Sequence, residues 1–284
     1  MITYQHILRS FNGNLPLTLK TLKDWCGVQD IEYLPRAGTL LHHSGSRVKV
    51  RTDMVIAPEA LMNGYWQPEE IQFAKFASKS DKYSLIDVGA NMGLFSRQMI
   101  ANVPGCVSVH CYEPNDLNFE LLKFNLHDWE GISHFHQCGL SDGEGESLFY
   151  ENVDNSGKYS LNKSSMFSED QFTTSRITLR NAKSESSGWS SGVPIFYKSD
   201  TEGHDETIIC SIPTDFWKEV YGGIIEVFRI EKPSWNKDIF EAFLRHFPNL
   251  VFLDNPRNIL SHDEVMNVIL GKKDGFNKDL GFWK

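Results

Sequence analysis

The chain has 284 residues, 40% hydrophobic and 23% charged, with 37 acidic against 28 basic side chains and a formal net charge of -9. That balance excludes collagen-like and disordered chains and leaves ample apolar material for a buried core. The acidic excess counts against nonspecific attraction to nucleic acid or anionic lipid, so no nucleic-acid partner is expected.

The five cysteines, Cys26, Cys106, Cys111, Cys138 and Cys210, form no CxxC pair. An odd set without metal-ligand spacing fits a reducing compartment, and a cytoplasmic location is expected. No run of about 18 apolar residues occurs, so no membrane span is expected. The opening MITYQHILRSFNGN lacks the apolar core of a signal peptide.

Residues 1–63 read as an N-terminal β/helical extension. In TLLHHSGSRVKVRTDMVIAP, Val48 and Val50 alternate with Lys49 and Arg51, the period of a short strand. QPEEIQFAKFAS follows as a helix, with Pro68 in its first turn and Glu69 and Glu70 at its positive end. SLIDV (84–88) is a short apolar run and hence a buried strand. Residues 93–100 read as a helix and 107–112 as a second strand. Residues 115–126 carry Leu117, Leu121 and Phe124 at i, i+4, i+7, an amphipathic helix. Residues 132–137 and ESLFYEN read as further strands. Residues 224–230 and 250–253 are buried strands separated by the helical NKDIFEAFLRHF. Strands alternating with helices imply right-handed βαβ units, an α/β fold with helices on both faces of a mostly parallel sheet. Ligands of such sheets bind outside the carboxyl ends of the strands.

Residues 154–206 break the rhythm. SESSGWSSG holds five serines in nine residues, and a long polar insertion or lid over the cleft is expected. Trp189, amid those serines, is expected on the loop surface, where it needs a functional reason. Trp217 reads as a core anchor.

The segment richest in chemistry is SLIDVGANMGLFSRQM. An apolar strand delivers Asp87, and Gly89 to Gly93 turn the chain into a helix. Glycine permits a tight turn and close approach of backbone to a ligand. The new helix presents free N–H groups that favour an anionic group. A dinucleotide fingerprint starting at Gly89 needs glycines at 91 and 94, where Asn91 and Leu94 stand. No Lys-Ser or Lys-Thr follows, so this is not a P-loop either. Glu113 ends the next strand, 24 residues after Gly89 (113 − 89). An ionised carboxylate only accepts hydrogen bonds and therefore suits a ribose diol. An adenosyl ligand without pyrophosphate meets both features, and S-adenosylmethionine is such a ligand.

IDVGANMGLFS, YEPNDLNFELLKFNL, CGLSDGEGESLFY and DNSGKYSL occur in that order. Through these segments, over about residues 64–258, the chain resembles FkbM-type S-adenosylmethionine-dependent methyltransferases of the class I Rossmann-like fold. The resemblance implies a methyltransferase domain over 64–284. It implies that Asp87, Gly89, Ala90, Asn91, Gly93 and Ser96 hold the methionine part of the cofactor. Glu113 with Pro114 would hold the ribose, and Gly139, Leu140, Ser141 and Asp142 the adenine edge. The last four equally form an ordinary tight turn. It further implies O-methylation of a hydroxyl on a sugar, glycan or related metabolite, with Tyr65, Trp66, Asn155, Ser156 and Arg229 on the acceptor side. Two motifs depart from the family pattern. Its KIDVEGAE-like segment is replaced by FRIEKPSW, and its GYE by Gly64-Tyr65-Trp66. Glu231, Asp254 and His204, in falling order, are the candidate general bases. Glu231 reads equally as a salt-bridge partner of its basic neighbours, and a catalytically degenerate cofactor-binding module stays open beside the enzyme. His134 and His136 share one strand face without a third ligand at a telling spacing, so no metal is expected.

Overall fold

The structure, a computed structural model, describes residues 4–284 apart from 44, 79, 162–171, 229–232 and 272–276. The chain begins with helices α1 (Tyr4–Ser10) and α2 (Leu15–Cys26). Asn14 caps α2 by accepting from the Leu17 N–H, and Gly27 closes it in the left-handed conformation. Strands β1 (Asp30–Tyr33) and β2 (Val48–Arg51) pair antiparallel, and α3 (Ile56–Asn63) follows. Ile7, Leu19, Val50 and Leu61 of this region bury together with Met92, Leu94 and Leu121. The extension is thereby docked on the side of the glycine turn rather than tethered beside it.

Next come α4 (Pro68–Ala77), β3 (Tyr83–Val88), α5 (Leu94–Asn102), β4 (Cys106–Tyr112), α6 (Asp116–Asn125) and β5 (Ser133–His136). Strands β6 (Gly139–Ser141), β7 (Gly145–Asn152), β8 (Tyr159–Ser160) and β9 (Phe172–Asn181) form a separate sheet of order β6-β9-β7-β8. The chain then runs through α7 (Ala182–Ser186), β10 (Ile195–Ser199), α8 (Asp205–Ser211), β11 (Val220–Phe228), α9 (Lys237–Leu244), β12 (Asn249–Phe252), α10 (His262–Ile269) and β13 (Asn277–Trp283).

Among the described residues the main sheet has seven strands in the order β12-β13-β11-β10-β3-β4-β5. The neighbouring pairs from β11 to β5 are parallel, and β13 runs antiparallel between β11 and β12. This is the expected α/β arrangement around a mostly parallel sheet. All six residues of β3 are buried, which explains its unbroken apolar reading. After β3 the chain builds outward to β5. It then returns to lay β10 on the other side of β3. The strand order therefore reverses between β3 and β10, and a crevice opens at their carboxyl ends.

The expected insertion is corrected here. Of residues 154–206, 162–171 lie outside the described residues. The remainder includes the long strand β9 and the central strand β10, whose five residues are all buried. IFYKS reads as a strand enclosed on both faces, a signal that the surrounding serines obscure. Trp189 is only 1% exposed, and its indole Nε1 donates to the Tyr112 hydroxyl at 2.7 Å. It packs against Tyr112, Tyr197 and Phe216 as part of the core, not on a lid. Trp217 is buried as expected.

Arg97 ties the layers together. It is fully buried on α5 and donates from Nε to the Leu41 carbonyl at 3.2 Å and from Nη1 to the Asn125 carbonyl at 2.8 Å. Nη2 donates to the Ser46 hydroxyl. Removing the guanidinium strands these acceptors away from water. Arg97→Leu is expected to lower unfolding free energy by about 3 kcal/mol in urea titrations, since hydrogen bonds to charged groups are each worth about 1.5–3 kcal/mol. A loss below about 1 kcal/mol would mean that water replaces the bonds.

Candidate functional site

The turn after β3 is shaped by contacts that only small residues allow. Gly89 has φ +76°, and a Cβ built there would lie 2.0 Å from the Asp200 carbonyl oxygen. No side chain fits that gap, so glycine lets the ends of β3 and β10 meet. The N–H groups of Gly89 and Ala90 both donate to the Tyr112 carbonyl at 3.0 Å, which fixes the turn against β4. Gly93 leads into α5 at φ +76°, where a Cβ would meet Leu122 Cδ1 at 2.6 Å. Asn91 adopts φ 51°, and its side-chain amide donates to the Ser156 carbonyl at 2.8 Å.

Glu113 locks this turn to the next strand. Its Oε2 accepts from the Asn91 N–H and its Oε1 from the Asn115 N–H, both at 2.9 Å. Each carboxylate oxygen has about two lone-pair positions. One on each remains for a ligand. Burial pushes the Glu113 pKa up to about 7, against the lowering effect of the two backbone N–H groups. Its carboxyl stands at a slot walled by Val88, Leu140, Phe149, Tyr159 and Ile177. Pro114 and Gly139 complete that wall. His204 closes the far side, with Nε2 3.0 Å from Ser141 Oγ. Burial lowers its pKa below the usual imidazole value.

The slot opens into a larger cavity of about 280 Å³. Gly89, Asn91, Gly157, Asp200 and Glu202 line both spaces. Trp66, Asn155 and Lys158 line the larger space together with the acids Asp200, Glu202, Glu226 and Asp279, and Lys158 lies close enough to Glu202 to hold its pKa down against burial. Lys198 is buried and also touches this cavity, its Nζ 3.2 Å from Asp200 Oδ2. Burial alone would lower its pKa. Asp200, then Glu70, Asp87 and Asp279, raise it above the ordinary lysine value. The acids respond in the opposite sense. Burial first, and neighbouring carboxylates with it, push Asp279 up to about 7 and Glu202 up to about 8. Glu226 rises well above the usual carboxylate range for the same reasons.

Of the residues singled out in the sequence, Gly89, Ala90, Asn91, Glu113, Pro114, Gly139, Leu140, Trp66 and Asn155 converge on the two joined spaces. Asp87 and Ser96 sit one layer below the turn, where the Ser96 hydroxyl donates to Asp87 Oδ2 at 2.6 Å. Asp87 Oδ1 is buried with no partner among the described residues. Gly93 shapes the helix start behind them. Ser156 is held by Asp53 and supports Asn91 from outside, and Tyr65 is half-buried beside the wall. Ser141 lies behind the slot and Asp142 is exposed.

Two of the expected bases are misplaced for proton removal in the larger cavity. Asp254 is exposed, paired with Lys278 and absent from the lining, because the chain leaves β12 toward solvent. His204 caps α8 on the slot side, bonded to Ser141, rather than swinging on a lid. Arg229 and Glu231 lie outside the described residues. The sequence reading missed Lys198, Asp200, Glu202, Glu226 and Asp279. Its own rule for Glu113, an acid just past an apolar strand, selects Asp200 after IFYKS once that run is recognised as a sheet strand.

Comparison with known proteins finds no matching family model and no matching curated protein. Solved structures do match. Methyltransferase FkbM from Methylobacillus flagellatus KT is 15% identical, with a TM-score of 0.42, over 72% of this chain and 44% of that one. The chain therefore spans under half the length of that relative. A SAM-dependent methyltransferase from Agrobacterium tumefaciens is 10% identical over 86% of this chain and 68% of that one, with a TM-score of 0.40. The 23S rRNA methyltransferase ErmE is 9% identical over 77% and 68%, with a TM-score of 0.36. Likeness at this level says nothing about substrate, and the fold stands on the strand order described above.

Two outcomes follow from this geometry. Gly89→Ala should destabilise the protein by about 1–3 kcal/mol, because the residue must hold a strained backbone against the Asp200 carbonyl. A thermal melt matching the unaltered protein would show that the turn can move aside. The second concerns pH. Glu113 and Asp279 have pKa values of about 7, and Glu202 and Glu206 of about 8. In the unfolded chain these acids ionise in the ordinary carboxylate range, so above it the native state holds more protons. Stability must then fall as pH rises through 7 and 8. Without ligand, the melting temperature is expected to be lower at pH 8.5 than at pH 6. A flat or rising trend would contradict the assignment.

Proposed function

We propose that this chain is an S-adenosylmethionine-dependent methyltransferase that methylates a hydroxyl on a sugar, glycan or related metabolite. The observation that carries the reading is the Glu113 carboxylate, pinned by two backbone N–H groups yet keeping acceptor positions beside an apolar slot. The slot suits an adenine ring, whose faces favour Phe149, Tyr159 and the aliphatic walls. Glu113 suits the ribose diol. Beyond them the glycine turn lets the ligand pass close to backbone, and the acidic wall favours a sulfonium and an ammonium group. Asp87 Oδ1, buried and without a partner, fits the same positive end, directly or through water.

Bound there, the donor supplies a methyl group already activated as a sulfonium, so the chain's tasks are alignment and proton removal. Orientation of the acceptor by Trp66 and Asn155 of the same cavity serves the first, an effect worth up to about 7–11 kcal/mol in well-aligned reactions. For the second, Asp279 on the cavity wall, its pKa pushed up to about 7 by burial, can accept the hydroxyl proton, and such a base adds roughly 10²–10⁴-fold. Glu231, just past the end of β11, stays a candidate for the same role. The acidic wall repels a phosphodiester backbone, which favours an uncharged hydroxyl compound over RNA as acceptor. No helix among the described residues is long and apolar enough to cross a membrane. The free cysteines agree with a cytoplasmic location.

Calorimetric titration with S-adenosylhomocysteine tests the binding half. Glu113→Ala is expected to weaken affinity at least about tenfold, the cost of losing hydrogen bonds to a charged acceptor. Unchanged affinity would overturn the assignment. Transfer of labelled methyl groups to a panel of neutral glycans and RNA oligonucleotides tests the acceptor half. Transfer to RNA alone would refute the hydroxyl-metabolite reading, and tight binding with no transfer would leave only a binding module.

A further inference from the structure

We propose that Asp200, Glu202 and Glu226 form a binding site for one hard divalent cation on the acidic wall of the larger cavity. One carboxylate oxygen from each residue lies within 4.8 Å of the others. Oxygens sharing one cation stand roughly 3–5 Å apart, given metal–oxygen bonds of about 2.0–2.6 Å. The three side chains come from the carboxyl ends of adjacent parallel strands, β10 and β11, and all line the cavity.

A second observation points to a missing ligand. Glu226 is 6% exposed, and its Oε1 accepts from Asn277 Nδ2 at 2.6 Å. Its Oε2 is buried with no partner among the described residues. A buried carboxylate oxygen left without a donor or cation is costly, so a pinned carboxylate with one open oxygen is arranged to receive something. Lys198 does not meet this need. Its Nζ lies at Asp200 Oδ2 and over the Phe95 ring, and its charge is already shared with Glu70, Asp87 and Asp279. Two positive charges would offset the excess of carboxylates that remains beyond Lys198 and Lys158, the latter acting on Glu202. A donor set made only of oxygens selects magnesium, manganese or calcium over softer metals. Three protein ligands leave further coordination positions facing the cavity. There the cation would polarise an acceptor hydroxyl, a role that rests on the methyl-transfer reading; the metal site itself does not.

The test uses the full chain stripped with chelator and titrated with manganese, followed by electron paramagnetic resonance. One manganese ion per chain is expected, displaced by excess magnesium. Glu226→Gln and Asp200→Asn should each weaken binding at least tenfold while keeping the far-ultraviolet circular dichroism of the parent. Should either variant unfold, Glu202→Gln, on the loop after β10, replaces it. Absence of stoichiometric binding to the parent chain would overturn the proposal, as would unchanged affinity in the folded variants. Either result leaves S-adenosylhomocysteine binding as a separate question.

Discussion

The structure turns on the approach of Gly89 to the Asp200 carbonyl. At this point the ends of β3 and β10 meet more closely than any Cβ would permit. The contact lies where the strand order reverses, so it sets the width of the crevice between the two halves of the sheet. From there Glu113 carries the constraint outward. Its two oxygens hold the N–H groups of Asn91 and Asn115, and so join the turn to α6. Arg97 carries it in another direction, to the Leu41 carbonyl, the Ser46 hydroxyl and the end of α6. One turn thus couples the central sheet to the N-terminal helices and hairpin.

The crevice is electrostatically lopsided. Glu70, Asp87, Asp200 and Asp279 surround Lys198, while Glu226 faces further carboxylates, Asp200, Glu202 and Asp279 among them. Burial first, and the neighbouring carboxylates with it, keep protons on these acids, which is why several pKa values stand near or above neutrality. The same excess is an asset to a site that receives positively charged ligands. Stability and function therefore pull in opposite directions here, as is common where a cleft is organised before its ligand arrives.

The four-stranded sheet β6-β9-β7-β8 is the less obvious part of the design. It lies over the open end of the β3–β4 region and contributes Phe149, Tyr159 and Ile177 to the slot beside Glu113. These residues face inward from strands whose other residues are largely polar. The slot is therefore built from two sheets, with acceptor chemistry from one and apolar walls from the other. His204, bonded to Ser141, sits at the seam between them.

Local sequence was enough for the elements of the main sheet around β3 and β4, for the glycine turn, and for Glu113, because each depends on neighbours within a few residues. An apolar run followed by glycines at fixed spacing dictates a buried strand and a tight turn wherever the chain lies. The same local logic went astray at residues 182–200. Serine-rich turns mask the short strand β10, and whether Trp189 is exposed depends on Tyr112, Tyr197 and Phe216 from distant segments. The acidic wall was illegible for a related reason. Glu226 lies within β11, Asp200 and Glu202 follow β10, and Asp279 belongs to the final strand, so only strand pairing brings them together. Asp254 shows the converse, since an acid after an apolar strand points to solvent when the chain turns away from the cleft. Propensity and spacing act along the chain, whereas the meeting of charges and the enclosure of a cavity are properties of the packed sheet.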